Sequence, residues 1–142
     1  MSSRLCLIAG EFHPEIMAAM LAQARTTAQD LNAEIVDILT VPGALEIPLA
    51  CQTALESKKY DALAVLGFIE KGETLHGEVI GHQVLRKIMD LQLTYECPIG
   101  YGIIGPGATD AQAAVRVTDS TVGAIQSAVK MLELKKQFKQ AQ

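Results

Sequence analysis

Residues 67–78, with the sequence GFIEKGETLHGE, concentrate groups that could hold an anion and transfer a proton. His76 offers an imidazole that can accept and return a proton. Thr74 is suited to cap a following helix, whose outward-pointing backbone N–H groups would favour a phosphate-sized anion. Gly72 lets the backbone approach a ligand closely, and Lys71 adds positive charge. The stretch predicts an anion site beside a proton carrier, with a surface histidine at an ordinary helix cap as the alternative.

One aromatic residue and two further histidines are weaker candidates for contact with a ligand. Phe12 is one of only three phenylalanines and is expected in a loop, where its ring could stack on a planar ligand or pack against the next helix. His13 directly precedes Pro14 and could cap that helix. His82 lies six residues beyond His76, about 240° round a helix, so these two histidines are not expected to share a metal ion.

Four apolar runs predict the strands that would position these residues. They are mostly continuous rather than alternating, as in strands that are buried on both faces. The four runs are residues 4–10, 34–41, 61–69 and 99–104. Because parallel strands end at one edge of a sheet, the polar stretches that follow them, GEFHPE, VPGALE, EKGETLH and GPGATD, are expected to line a cleft.

Segments with helical periodicity alternate with the strands. Pro14 and Pro48 suit the first turns of the first and second helices, and a third helix is expected from about residue 75 to 93. Thr109 and Gln112 form a capping-box pattern at the start of a fourth helix, and a separate last helix is expected over about 120–138. The alternation predicts one α/β domain over residues 1–142, with a four-stranded parallel sheet and helices on both faces.

Composition excludes several classes of protein. The chain has a formal net charge of −4 and no basic stripe, which argues against nucleic acid as a partner, and the bases in KKQFK are interpreted as a solvated helix end. No stretch approaches the roughly 20 apolar residues that span a membrane, and the first apolar run is too short for a signal peptide. Three widely spaced cysteines predict reduced, mostly buried thiols in the cytoplasm, without metal-ligand spacing.

Four segments together resemble the lumazine synthase family. They are the EF of AGEFHPEI (9–16), VPGALEIPLA (41–50), GETLH (72–76) and CPIGYGIIGPGATDAQAAVR (97–116). The similarity extends over nearly the whole chain, and the proline-glycine-acid segment combined with GETLH is quite specific.

The resemblance implies a transferase of riboflavin biosynthesis with a flavodoxin-like, three-layer fold. Such an enzyme condenses 5-amino-6-(D-ribitylamino)uracil with 3,4-dihydroxy-2-butanone 4-phosphate, releasing phosphate and water, and uses neither metal nor organic cofactor. The family also implies a homo-oligomer, either a pentamer, a decamer or an icosahedral shell, with active sites between neighbouring subunits. Its other partners would be small-molecule substrates.

The resemblance also assigns roles by position. His76 corresponds to the proton-transfer histidine. The phosphate would be bound by Glu73 and Thr74, with Arg116 from the neighbouring subunit. The positions that correspond to the pyrimidine and ribityl site are Phe12, Ala44, Leu45, Glu46, Phe68, Ile69 and Glu70, with Tyr101 from the neighbouring subunit.

Several positions depart from the family pattern. The chain has His13 for an asparagine, Leu45 for an aromatic residue, Glu70 for an apolar residue, Lys71 for an arginine, and Gly77 and Glu78 for an aromatic residue and an aspartate. The Glu70 and Gly77 changes would favour an alternative, a shell-forming or ligand-binding relative with impaired catalysis. A third, weaker alternative is an unrelated flavodoxin-like phosphate-binding domain, which predicts no pentamer.

Overall fold

The computed structural model of the protein describes residues 2–141 and contains four strands. They are β1 (Ser3–Gly10), β2 (Ala33–Val41), β3 (Ala62–Glu70) and β4 (Ile99–Ala108). All neighbouring pairs are parallel, in the order β2-β1-β3-β4. The four predicted strands are therefore confirmed, and β4 extends four residues beyond its predicted end at 104. Because β1 and β3 are adjacent at the centre, the loops that follow them lie side by side.

Four helices cover the sheet, two on each face. They are α1 (Pro14–Asp30), α2 (Ile47–Ser57), α3 (His76–Tyr95) and α4 (Asp110–Ala141), and a short 3-10 turn, Ala44–Glu46, precedes α2. Alternate residues of β1 divide the core: Leu5 and Leu7 pack with α1 and α4, whereas Cys6 and Ile8 pack with α2 and α3. This arrangement confirms the three-layer, flavodoxin-like fold.

The separate last helix expected over about 120–138 was wrong, because α4 is one continuous helix of 32 residues. No proline or cap interrupts it, and its buried residues recur every three or four positions along one stripe. These are Ala113, Val117, Thr121, Ala124, Ile125, Ala128, Val129 and Leu132. The predicted start is confirmed: Thr109 and Gln112 exchange side-chain-to-backbone hydrogen bonds of 2.9 and 3.3 Å.

Gly100 allows β4 and α4 to approach closely. A Cβ atom at this position would overlap the carbonyl oxygen of Ala124, which is backbone and cannot rotate away. Gly102 is similarly crowded by the side chains of Leu66 and Ala124. The α4 helix can therefore lie directly on the sheet, which fixes the position of its first residue at the carboxyl edge of the strands.

None of the helices within residues 2–141 is both long and apolar enough to cross a membrane.

Candidate active site

The loops at the carboxyl edge of the sheet enclose a cleft of about 520 Å³. Nine residues that the sequence nominated line it: Phe12, Ala44, Leu45, Glu46, Phe68, Ile69, Glu70, Thr74 and His76. They come from the carboxyl end of β3 and from the segments that follow β1, β2 and β3, as expected from a parallel sheet. We call this space the inner cleft.

A second cleft of about 680 Å³ adjoins the inner cleft and contains Glu73. It is lined by residues 70–75, by Gly77, Glu78 and His82 of α3, and by Pro106 and Gly107 of β4. We call it the outer cleft. Glu70, Gly72 and Thr74 line both spaces. The loop after β3 therefore forms a shared wall between two neighbouring chambers, an arrangement that suits a reaction between two molecules.

The start of α3 orients the nominated histidine. The helix begins at His76 and its N-cap position is Leu75, so the expectation that Thr74 occupies the N-cap position was wrong by one residue. The hydroxyl of Thr74 nevertheless accepts a hydrogen bond of 3.3 Å from the backbone N–H of His76. Both side chains are exposed. The first helical turn thus holds the imidazole beside the backbone N–H groups that favour an anion.

Glu46 is tied to its own loop through one carboxylate oxygen. Its Oε1 accepts a hydrogen bond of 3.0 Å from the backbone N–H of Gly43, and its backbone N–H donates to the Gly43 carbonyl at 3.2 Å. No other hydrogen bond to this carboxylate occurs within residues 2–141, so the second oxygen can accept from a ligand. Leu45, beside it, is 65% exposed at the inner cleft.

The loop between β1 and α1 presents two rings to the site. Phe12 is 74% exposed and lies over Gly43, where a Cβ atom would overlap its ring. One ring face of Phe12 is therefore free for a planar ligand. His13 occupies the N-cap position of α1, but its side chain makes no capping hydrogen bond, so its predicted capping role was wrong. Its ring instead lies 4.5 Å from that of Phe68, at 45°.

Two nominated residues lie away from both clefts of their own chain. Tyr101 is half-buried in the middle of β4, where it pairs with Val65, and burial raises the pKa of its hydroxyl. Arg116 is exposed on α4 and donates a 2.9 Å hydrogen bond to the Gln112 carbonyl. Within residues 2–141 neither residue lines either cleft.

One cluster of possible metal ligands was missed by the sequence reasoning. Ligand atoms of His13, Glu70 and Asp110 all lie within 4.8 Å of one another. They belong to three different strand-end segments, and only the order of the strands brings those segments together. Two of its residues could have pointed to the cluster, since His13 and Glu70 both depart from the family pattern. Asp110 was not among the candidate residues.

The cysteines are poor candidates for a nucleophile. Cys6 and Cys51 are buried and Cys97 is half-buried, and all three thiols are free. Burial raises the pKa of Cys6 to about 11 and that of Cys51 to about 12. Neither thiol forms appreciable thiolate near neutral pH, and thiolate is the reactive form. The expectation that most of these thiols are buried is therefore confirmed.

Comparison with known proteins identifies one family. The family model for 6,7-dimethyl-8-ribityllumazine synthase matches residues 2–136. Among relatives with that name, one from Metallosphaera sedula is 44% identical over 92% of this chain and 86% of its own length. One from Saccharolobus islandicus is 39% identical over 93% and 86%, and one from Staphylothermus marinus is 38% identical over 97% and 92%.

Proposed function

The chain belongs to the 6,7-dimethyl-8-ribityllumazine synthase family, and we propose that the two clefts carry out the condensation that gives the family its name. The enzyme joins 5-amino-6-(D-ribitylamino)uracil to 3,4-dihydroxy-2-butanone 4-phosphate, with loss of phosphate and water, in riboflavin biosynthesis. The observation that carries this function is a family match over nearly the whole chain. The residue roles below are proposals that rest on the geometry of the clefts.

The inner cleft suits the pyrimidine. The free face of Phe12 can stack on the ring, and the second carboxylate oxygen of Glu46 can accept hydrogen bonds from a ribityl hydroxyl or a ring N–H. Ala44 and Leu45, which directly precede Glu46, also line the cleft, as does the carboxyl end of β3. That end contributes Phe68, Ile69 and Glu70.

The wall between the two clefts suits the phosphate. The N-terminal N–H groups of α3 and the hydroxyl of Thr74 supply donors, and Lys71 adds positive charge. Glu73 carries a negative charge, so we propose that it acts through its backbone or by positioning Thr74 and not by direct contact with the anion. Arg116 of a neighbouring subunit would supply two parallel N–H donors to the phosphate, a bidentate geometry that the Lys71 ammonium cannot provide.

His76 stands where it can move protons for both stages of the reaction. The amine of the pyrimidine adds to the ketone, and loss of water gives an imine, with His76 transferring the protons. Phosphate then leaves with its negative charge stabilised by Thr74, the helix N–H groups and Arg116. Elimination of phosphate, with loss of a proton from the neighbouring carbon, leaves an enol that tautomerises to a ketone. The second amine adds to this ketone, and loss of a second water closes the new ring. Holding both substrates in the two adjoining clefts makes their second-order reaction effectively intramolecular.

The site is completed by a second chain in this proposal. Tyr101 and Arg116 do not line the clefts of their own chain, so in this proposal Tyr101 covers the ring and Arg116 binds the phosphate of a neighbour. This requires a homo-oligomer of single-domain subunits, a pentamer or a multiple of one. The free thiols are compatible with a reducing compartment, and we propose the cytoplasm.

The test is an assay of the purified chain with both substrates, following lumazine by its absorbance, together with light scattering. We expect lumazine to form only when both substrates are present, from particles larger than one chain. A folded, assembled protein that yields no lumazine would overturn the proposed function.

A further inference from the structure

We propose that His13, Glu70 and Asp110 form a binding site for a divalent transition-metal ion, with Zn²⁺ as the best match. One side-chain atom of each, an imidazole nitrogen or a carboxylate oxygen, lies within 4.8 Å of the other two. A single ion about 2 Å from each ligand can bridge atoms at such separations after small side-chain rotations. This is the one group of three or more such ligands within residues 2–141.

The backbone of each ligand residue is held by regular structure. His13 directly precedes Pro14 at the start of α1, and its ring packs at 4.5 Å against that of Phe68. Glu70 is the last residue of β3, where it pairs with Ala108 of β4. Asp110 begins α4, directly after the capping box at Thr109. Three elements thus fix the origins of the three side chains, which lowers the entropy lost when they converge on an ion.

The charges of the cluster favour a cation. Two carboxylates approach each other here, and neither has an ion-pair partner among the described residues, where the two ion pairs are His82–Glu78 and Lys87–Asp90. Carboxylates at such separations repel one another when both are ionised. A divalent ion would remove that repulsion and neutralise the formal charge of both groups.

The type of donor selects the ion. An imidazole nitrogen suits Zn²⁺, Cu²⁺, Fe²⁺ or Ni²⁺, whereas Mg²⁺, Ca²⁺ and Mn²⁺ prefer oxygen ligands. Three protein ligands leave a position open for water, as in zinc sites that are not purely structural. His13 and Glu70 also line the inner cleft, so a bound ion would stand in its wall. It would also tie the loop that carries Phe12 to β3 and α4.

Zinc binding can be measured without substrate, so its failure is distinguishable from failure of the proposed function. The tag-free protein is stripped with a chelator, dialysed and titrated with ZnCl₂ by calorimetry. We expect one saturable site per chain, and about 10-fold or greater weakening in each of His13→Asn, Glu70→Gln and Asp110→Asn, since even indirect partners of a ligand contribute that much. The matched controls are His82→Asn and Glu78→Gln, which disrupt the exposed histidine–carboxylate pair at 3.7 Å.

Thermal unfolding gives a second measurement that does not depend on comparing affinities. Zinc should raise the Tm of the wild type and of both controls, and this rise should shrink in the three ligand variants even if their Tm without metal is unchanged. Three outcomes would overturn the site: no saturable zinc binding by the wild type, equal affinity in the ligand variants, or equal loss in the controls. Binding of Mg²⁺ as tight as that of Zn²⁺ would contradict an imidazole ligand.

Discussion

The backbone N–H of Gly43 donates a hydrogen bond of 3.0 Å to Oε1 of Glu46, so a single carboxylate both closes its loop and faces the inner cleft. The two oxygens of the carboxylate have separate tasks in this arrangement. One holds the 3-10 turn before α2, and the other is available to a ligand. The two tasks can therefore be separated by mutation.

Glu46→Gln should keep the loop but weaken substrate binding. The amide oxygen can still accept from Gly43, so we expect the free energy of unfolding to change little. The loss of charge should raise KM for the pyrimidine substrate. Glu46→Ala should raise KM as well and also lower the free energy of unfolding by about 1 kcal/mol, because the Gly43 N–H loses its partner. Urea unfolding and steady-state kinetics on both variants would check this, and equal stability of the two would contradict the loop-closing role.

His76→Ala should lower kcat by about 100-fold or more, with a smaller effect on KM, since a proton carrier acts mainly in the transition state. Gln83→Ala is the matched control, because Gln83 is also an exposed residue on α3 but lines neither cleft. Steady-state kinetics of lumazine formation would measure both. Similar losses in the two variants would argue against a specific role for His76.

Gly43→Ala should displace the Phe12 ring. An added Cβ would overlap that ring, which is exposed and can rotate away, and the backbone at Gly43 is extended with φ of −157°, so stability should change little. We expect KM for the pyrimidine substrate to rise several-fold, with kcat less affected, if stacking contributes about 1 kcal/mol.

Gly123→Ala is the control for that substitution. Gly123 lies on α4 with open space around its Cβ position, so alanine should leave KM unchanged and stabilise the helix by up to about 1 kcal/mol. An unchanged KM in Gly43→Ala would mean that Phe12 does not stack on the substrate.

Mixed oligomers would test whether neighbouring chains share a site. His76→Ala and Arg116→Ala should each be nearly inactive alone. When equal amounts are unfolded together and refolded, about a quarter of the sites should combine an intact His76 with an intact Arg116 from the next chain, if subunits mix at random in a ring. Recovery of about a quarter of wild-type activity would support the shared site. Activity no higher than the mean of the two homo-oligomers would contradict it.

The buried thiols should make the protein sensitive to alkaline pH. Burial raises the pKa of Cys6 to about 11 and that of Cys51 to about 12 from an ordinary value of 9.0. The unfolded chain therefore releases these protons at lower pH than the folded chain. This contribution to the free energy of unfolding is fully present below about pH 9 and is lost as the pH rises towards about 11 and 12. Urea unfolding at pH 8 to 11 should show the decline, and Cys51→Ala should make it shallower.

The sequence predicts most of this fold because local and global signals agree. The continuous apolar runs give all four strands, and the capping box at Thr109 and Gln112 gives the start of α4 within one residue. The predicted break near residue 120 failed because no local signal marks where a helix continues. Whether the helix continues is decided by burial of the stripe from Ala113 to Leu132. This burial depends on Gly100 and Gly102 of β4, which lie outside the helix.

The candidate site was only partly predictable for a related reason. Residues within one loop, such as Thr74 and His76, can be associated from their spacing. The approach of His13, Glu70 and Asp110 depends instead on which strands are neighbours in the sheet. The position of His13 against Phe68, in place of a cap on α1, likewise depends on a ring contributed by a different strand.

The central pairing of β1 with β3, in which Ala9 lies opposite Leu66, also has a consequence for the order of events during refolding. These strands are separated in the sequence by α1, β2 and α2, so their pairing must close a long stretch of chain. Phe12 follows one strand and His76 the other, and they line the same cleft only after that closure. The helices can therefore form before the site does. The return of activity after dilution from denaturant can be no faster than the pairing of β1 with β3.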